Sequence, residues 1–289
     1  MIIKMNIEKK LDRRRKYFLI LDSETATLPY AQKFDGTTKQ KISIAKPLIY
    51  DFGWQVVDYK GTVYRRRSFL ISEIFSVPSI FNTAYYAQKR PLYLDKLKKG
   101  EITLIDWKSA TEIFENDLKE ICAVGAFNSM FDYKKAIAFT ENYINALYSP
   151  NFNEWEKKQN AICDFIATNK KSNNKRKFDP NNFNFRGKKY NLFDIWGLSC
   201  KYLLNCDEYR TKCIANNWLT SSKKYYETSA ETTYRFINNT DNFIEAHMAI
   251  EDAEIESEIF AHIAKKCKNK IEMGIFYFPF KMVGKIEEI

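Results

Sequence analysis

The sequence predicts an α/β fold, a mixed β-sheet flanked by helices. Three observations lead there: short apolar, aromatic-rich runs of strand length, a hairpin turn between two of them, and helical periodicity that then alternates with further strand-like runs. Hairpin strands followed by alternating helix and strand require a sheet with both antiparallel and parallel neighbours.

In chain order, Tyr17-Phe18-Leu19-Ile20-Leu21 reads as a buried strand that stops at Asp22. Residues 48–57 and 62–71 read as two more strands, with Asp58-Tyr59-Lys60-Gly61 as the hairpin turn. Residues 78–100 are mixed, broken by Pro78 and Pro91. Residues 109–120 carry Ile113, Phe114 and Leu118 at helical spacing, and the apolar run 121–127 that follows reads as a strand. Residues 130–143 read as a helix with Ala136, Ile137, Ala138 and Phe139 as its apolar stripe. Residues 168–189, with Lys170, Lys171, Lys175, Arg176, Lys177, Arg186, Lys188 and Lys189 among Asn and Ser, read as a basic loop or flexible insertion. A short strand resumes over 190–195, Asp194 caps the helix after it, and the chain to about Cys267 is mostly helical, ending in a long amphipathic segment from Glu245. The tail 272–289 contains Phe276-Tyr277-Phe278-Pro279-Phe280 and is aromatic enough to pack back on the body. No linker-like stretch divides the hydrophobic pattern, so one domain is expected over 16–267, with a basic N-terminal arm, 1–15, and a C-terminal extension, 268–289.

Composition narrows the class. At 289 residues, 45% hydrophobic and 28% charged, the chain is neither a disordered protein nor a disulfide-stapled miniprotein. It has no apolar run near the ~18 residues that cross a bilayer, so no membrane partner is expected. A formal net charge of +10 favours a polyanion such as nucleic acid, although the abundance of Lys, Asn, Ile, Phe and Tyr is also what an A/T-rich gene produces. Arg13-Arg14-Arg15-Lys16 is followed by no signal-peptide pattern. Six cysteines without a CxxC pair, and only two histidines, leave no zinc-finger ligand set; reduced thiols in a cytoplasmic protein are the simplest account.

Three groups of residues carry chemistry. Asp22 and Glu24 alternate with Ser23, so a strand places both carboxylates on one face, where they call for a cation between them. Asp252-Ala253-Glu254 has the same spacing, but only Asp22 and Glu24 stand at the mouth of a buried strand. Asn128-Ser129-Met130-Phe131-Asp132 follows an apolar run, putting Asp132 in the first turn of a helix, where the helix dipole also favours an acid. His247 and Asp252 are five apart, about 140° of helical rotation, so they flank one site only if His247 lies before the helix or in its first turn.

In order, Asp22-x-Glu24-Thr25, Asn128-x-x-Phe131-Asp132 and His247-x-x-x-x-Asp252 resemble the three motifs of the DEDDh 3′→5′ exonucleases of the RNase H-like superfamily, over about residues 16–265. Two features depart from that pattern: Ala26-Thr27 stands where Thr-Gly is frequent, and the stretch between the second and third motifs is longer. The resemblance implies an RNase H-like mixed sheet and two-metal hydrolysis of phosphodiesters with Mg²⁺ or Mn²⁺, releasing nucleoside 5′-monophosphates from 3′ ends. It implies that Asp22, Glu24 and Asp252 hold one ion, that Asp22 bridges to a second, that Asp132 completes the site and that His247 is the general base. Thr25, Ala26, Thr27, Leu28, Asn128 and Phe131 would border the terminal nucleotide, with Phe131 and Leu28 equally readable as core residues. Single-stranded DNA is favoured over RNA. The alternatives are an RNA-trimming exoribonuclease or oligoribonuclease, and a non-catalytic module that grips 3′ ends. The insertion could track a phosphate backbone with Phe178, Phe183, Phe185 and Tyr190 as stacking platforms, or be a solvated loop. Arg65-Arg66-Arg67 lies in a strand, so its side chains alternate and form no basic stripe.

Overall fold

The computed structural model describes residues 8–30, 36–168 and 179–286. Its strands are β1 (Phe18–Ala26), β2 (Leu48–Val57), β3 (Val63–Ile71), β4 (Thr103–Ile105), β5 (Ala123–Ala126), β6 (Asn182–Phe185) and β7 (Lys188–Asp194). They form one seven-stranded sheet in the order β4-β3-β2-β1-β5-β7-β6. β2 runs antiparallel to β1 and β3, and β6 antiparallel to β7; the pairs β1/β5, β5/β7 and β3/β4 are parallel. The sheet is mixed and flanked by helices, as the sequence predicts.

β1 occupies the middle of the sheet, and its alternation separates two cores. Leu19 and Leu21 face an aromatic layer of Phe52, Trp54, Trp107 and Phe114. Phe18 and Ile20 face the opposite layer, which includes Phe193, Ile259 and Phe260, the last two from the long helix Ala249–Lys266. Asp22 and Glu24 continue the even-numbered series. The strand does not stop at Asp22: it pairs with β2 out to Ala26, with a register shift between Glu24 and Thr25. The loss of apolar side chains ends the sequence signal there, but the backbone ladder needs only N–H and C=O groups.

Every residue of β2 is buried, Asp51 and Gln55 among them. Gly53 lets the long helix approach: a Cβ there would lie 2.4 Å from the backbone nitrogen of Ile250. The β2–β3 turn is fixed by Asp58, whose Oδ1 accepts the N–H groups of Lys60 and Thr62 at 2.9 and 3.1 Å, and by Gly61 at φ +74°.

Helix Trp107–Leu118 starts two residues before the predicted 109 because Asp106 caps it, accepting the Ser109 N–H at 2.8 Å. Residues 129–147 form one helix interrupted by a π-turn over Asp132–Ala136. Its buried face uses Ala136, Ile137, Thr140 and Tyr143, while Ala138 is exposed, because the π-turn shifts the helical phase.

Within the described residues, the end of the insertion is an ordered hairpin and not an open loop. Helix Phe152–Thr168 precedes it, residues 169–178 with Phe178 lie outside the described residues, and the remainder is the β6–β7 hairpin. Phe183 and Phe185 are buried in the core and Tyr190 packs against it, so none is a free stacking platform. Arg186 pairs with Glu141, Lys188 with Glu115 and Lys189 with Asp179. Arg65 reaches Asp117 and Glu120, Arg66 reaches Glu254 and Arg67 reaches Glu8, so this run is consumed in ion pairs on both faces.

Asp194 sits at the N-cap position of Ile195–Ser199 without a capping hydrogen bond. Its carboxylate instead accepts the N–H groups of Ser129 and Phe276, both at 3.4 Å, and burial pushes its pKa up to about 7. The aromatic tail packs back: Phe276 covers Gly197, and Phe280 meets Trp196 and Tyr225. Among the described residues no helix is long and apolar enough to cross a membrane. Among the described residues no disulfide joins the six cysteines.

Candidate metal centre

Sequence-distant elements converge on one cleft of about 280 Å³. It is lined by Asp22, Ser23 and Glu24 from β1, Phe127, Asn128, Phe131 and Asp132 after β5, Ser229 and Ala230 at a helix start, and Glu245, His247, Asp252 and Glu256 from the third segment. Asp22 and Glu24 reach it because the even-numbered face of β1 looks toward helix Ala249–Lys266. Asp132 reaches it because Asn128 caps its helix, accepting the Phe131 N–H at 3.3 Å, and because Ser23 Oγ donates to Asp132 Oδ1 at 2.6 Å.

His247 lies two residues before the long helix, which is the condition under which it and Asp252 can share a site. Its backbone is left-handed, φ +50°, a conformation that a non-glycine residue holds only when its surroundings enforce it. Lys89 Nζ donates to the carbonyls of Ala246 and His247, and the Tyr86 ring stacks on the imidazole. The helix start has no cap of its own. Asp51 supplies one from β2, its Oδ2 accepting the Ala249 N–H at 3.0 Å and the Tyr93 hydroxyl at 2.9 Å.

Glu24, His247 and Asp252 each offer one donor atom, all within 4.8 Å of one another. Burial penalises negative charge on each of the four acids. Burial raises the pKa of Glu24 to about 8, with Asp51 adding and Lys89 opposing. Burial, with Glu245 and Glu24, lifts Asp252 to about 9. Burial raises Asp132 to about 7 against the relief of the Ser23 hydrogen bond. Asp22 is pushed well up by burial and then by Glu256, Asp132, Asp252 and Glu24. Among the described residues none of Asp22, Glu24, Asp132 and Asp252 forms an ion pair, and Asp252 Oδ1 is buried without a hydrogen-bond partner. Hard oxygen donors, carboxylates crowded out of water and an orphaned carboxylate oxygen fit a hard divalent cation.

The binding residues read from the first motif fall elsewhere. Ala26, Thr27 and Leu28 are buried, Thr27 donating to the Lys46 carbonyl and to Thr83 Oγ1; neither they nor Thr25 line the cleft. Asn128 and Phe131 do line it, Phe131 also packing on the core. Several participants were not anticipated. Glu256 had a signal, its spacing of four from Asp252 on one helical face. Asp51 had one too, the one acid within a mostly apolar strand. Tyr86 and Lys89 come from the mixed stretch 78–100, where no pattern marks them.

Compared with known proteins, the chain matches no protein-family model, no curated protein and no solved structure.

Proposed function

We propose that the chain is a metal-dependent 3′→5′ exonuclease with an RNase H-like fold, acting on nucleic-acid 3′ ends with single-stranded DNA preferred. The observation that carries this reading is the convergence of Asp22, Glu24, Asp132, His247 and Asp252 on one cleft from three segments far apart in the chain. The mixed sheet, with two of the carboxylates on its middle strand, supports the fold.

Bound Mg²⁺ or Mn²⁺ would polarise the phosphate and stabilise charge on the attacking and leaving oxygens. Glu24, Asp252 and Asp22 supply the hard donors, and Asp132 is oriented toward the same centre by Ser23. His247 would take the proton of the attacking water. Burial, then the charge of Lys89, lowers its pKa from the ordinary 6.5, so the imidazole is neutral near pH 7 and able to accept. Asn128 and Phe131 border the space a terminal nucleotide would fill.

The test is 5′-labelled DNA and RNA oligonucleotides of matched sequence incubated with Mg²⁺. A ladder shortening from the 3′ end is expected, faster on DNA, and absent with a folded Asp22→Asn protein. No shortening of any oligonucleotide, or equal cleavage by Asp22→Asn, removes the reading.

A further inference from the structure

Glu256 belongs to none of the three motifs, yet it lines the same cleft. It stands one helical turn after Asp252, so the two carboxylates leave helix Ala249–Lys266 on the same side. Its side chain is 2% exposed, and Oε2 accepts the Phe127 N–H at 3.0 Å, directly before the capping residue Asn128. That hydrogen bond engages one oxygen and neutralises no charge.

The acids divide in two. Glu24 and Asp252 stand with His247 in one compact set. Asp22, Asp132 and Glu256 line the same cleft outside it, and no ion pair is found for Glu256 among the described residues. The orphaned, buried Oδ1 of Asp252, on the same helix face as Glu256, shows that the cleft the two sets share lacks a positive partner. Carboxylates gathered out of water need protons or cations between them.

Resting on the exonuclease reading, we propose that Glu256 is a further acid of the metal centre, sharing with Asp22 the second divalent cation. The rival state is a neutral carboxyl that merely accepts the Phe127 N–H. Glutamine separates them, because its amide oxygen keeps that acceptor and mimics the protonated acid while surrendering the anionic donor.

The experiment is Mn²⁺ titration of the full chain, followed by electron paramagnetic resonance of free Mn²⁺ and by calorimetry, on wild type, Glu256→Gln and Asp252→Asn. Two Mn²⁺ are expected in wild type. In Glu256→Gln one site should weaken by about tenfold or more while the other holds. In Asp252→Asn the loss should fall on the other site. Should Glu256→Gln fail to fold, Glu256→Asp retains the charge but withdraws the carboxylate, and the same site should weaken. Wild-type affinities in the Gln or Asp variant, or a single site in wild type, overturn the role of Glu256 and leave the nuclease reading in place. A wild type that binds no Mn²⁺ overturns both.

Discussion

The rings of Tyr86 and His247 lie nearly parallel, their centroids 4.4 Å apart and their planes 15° from one another. Lys89 Nζ sits 4.4 Å from the centre of the same tyrosine ring and donates to the backbone on either side of the Ala246–His247 peptide bond. The left-handed backbone of His247 is therefore gripped at both its ring and its carbonyl. Under the exonuclease reading, Tyr86→Ala should lower kcat by about two- to tenfold, the worth of one aromatic pair, whereas Tyr86→Phe should leave it unchanged. Initial rates on a labelled oligonucleotide measure both; a silent Tyr86→Ala removes the ring from any part in positioning His247.

Asp51 makes a comparable grip on the long helix. Asp51→Ala leaves the Ala249 N–H and the Tyr93 hydroxyl without their acceptor and should cost about 2–3 kcal/mol in urea denaturation. Asp51→Asn keeps one oxygen able to accept both bonds and removes a charge that raises Glu24, so in chelator its stability should equal or exceed that of wild type.

Gly53 sets the distance between β2 and that helix. A methyl group there would meet the backbone of Ala249 and Ile250 at 2.4–2.8 Å, and no flexible side-chain end is available to yield. Gly53→Ala should destabilise by about 1–3 kcal/mol or more and weaken Mn²⁺ binding as well, because the displaced helix start carries Asp252. Loss of stability with unaltered Mn²⁺ affinity would separate the two effects.

The metal-free protein should lose stability as pH rises. Glu24, Asp132 and Asp252 titrate near 8, 7 and 9 when folded, against 4.5, 3.8 and 3.8 ordinarily, so between about pH 4 and 9 the folded chain holds protons that the unfolded chain has released. Unfolding is then favoured as these protons are removed, and the penalty is complete above the folded pKa values. Thermal melts in chelator should fall from about pH 5 to 9, and Mg²⁺ should raise the melting temperature more at about pH 8 than at about pH 6. A flat chelator profile contradicts the raised pKa values.

If His247 is the base, the acid limb of the kcat profile at saturating Mg²⁺ should lie below pH 6.5, the ordinary histidine value, because burial and Lys89 lower it. An acid limb above that value would point to another group.

Strand signals were legible where side chains were apolar. The β2 strand matches its predicted span, 48–57, and β1 was cut short at its first polar residue although its backbone ladder runs four residues further. The site's acids were legible as motifs, and alternation placed Asp22 and Glu24 together on one strand face. What was hidden arises from tertiary packing. Burial of Ala26, Thr27 and Leu28 depends on what covers the end of β1, and the support of His247 by Tyr86 and Lys89 joins segments with no shared local pattern. Arg186 and Lys188 read as free in the sequence because their acidic partners, Glu141 and Glu115, lie in helices earlier in the chain.

The bond from Ala249 to Asp51 spans 198 positions of sequence. Synthesis runs from the N-terminus, so a chain emerging from the ribosome displays Asp22, Glu24 and Asp51 long before the segment that closes over them exists. Through most of translation the polypeptide holds acids without His247 or Asp252. Under the exonuclease reading the last piece of the site to arrive is also its base and one of its metal donors, so an unfinished chain is inactive, and activity appears only once residues 247–256 have docked.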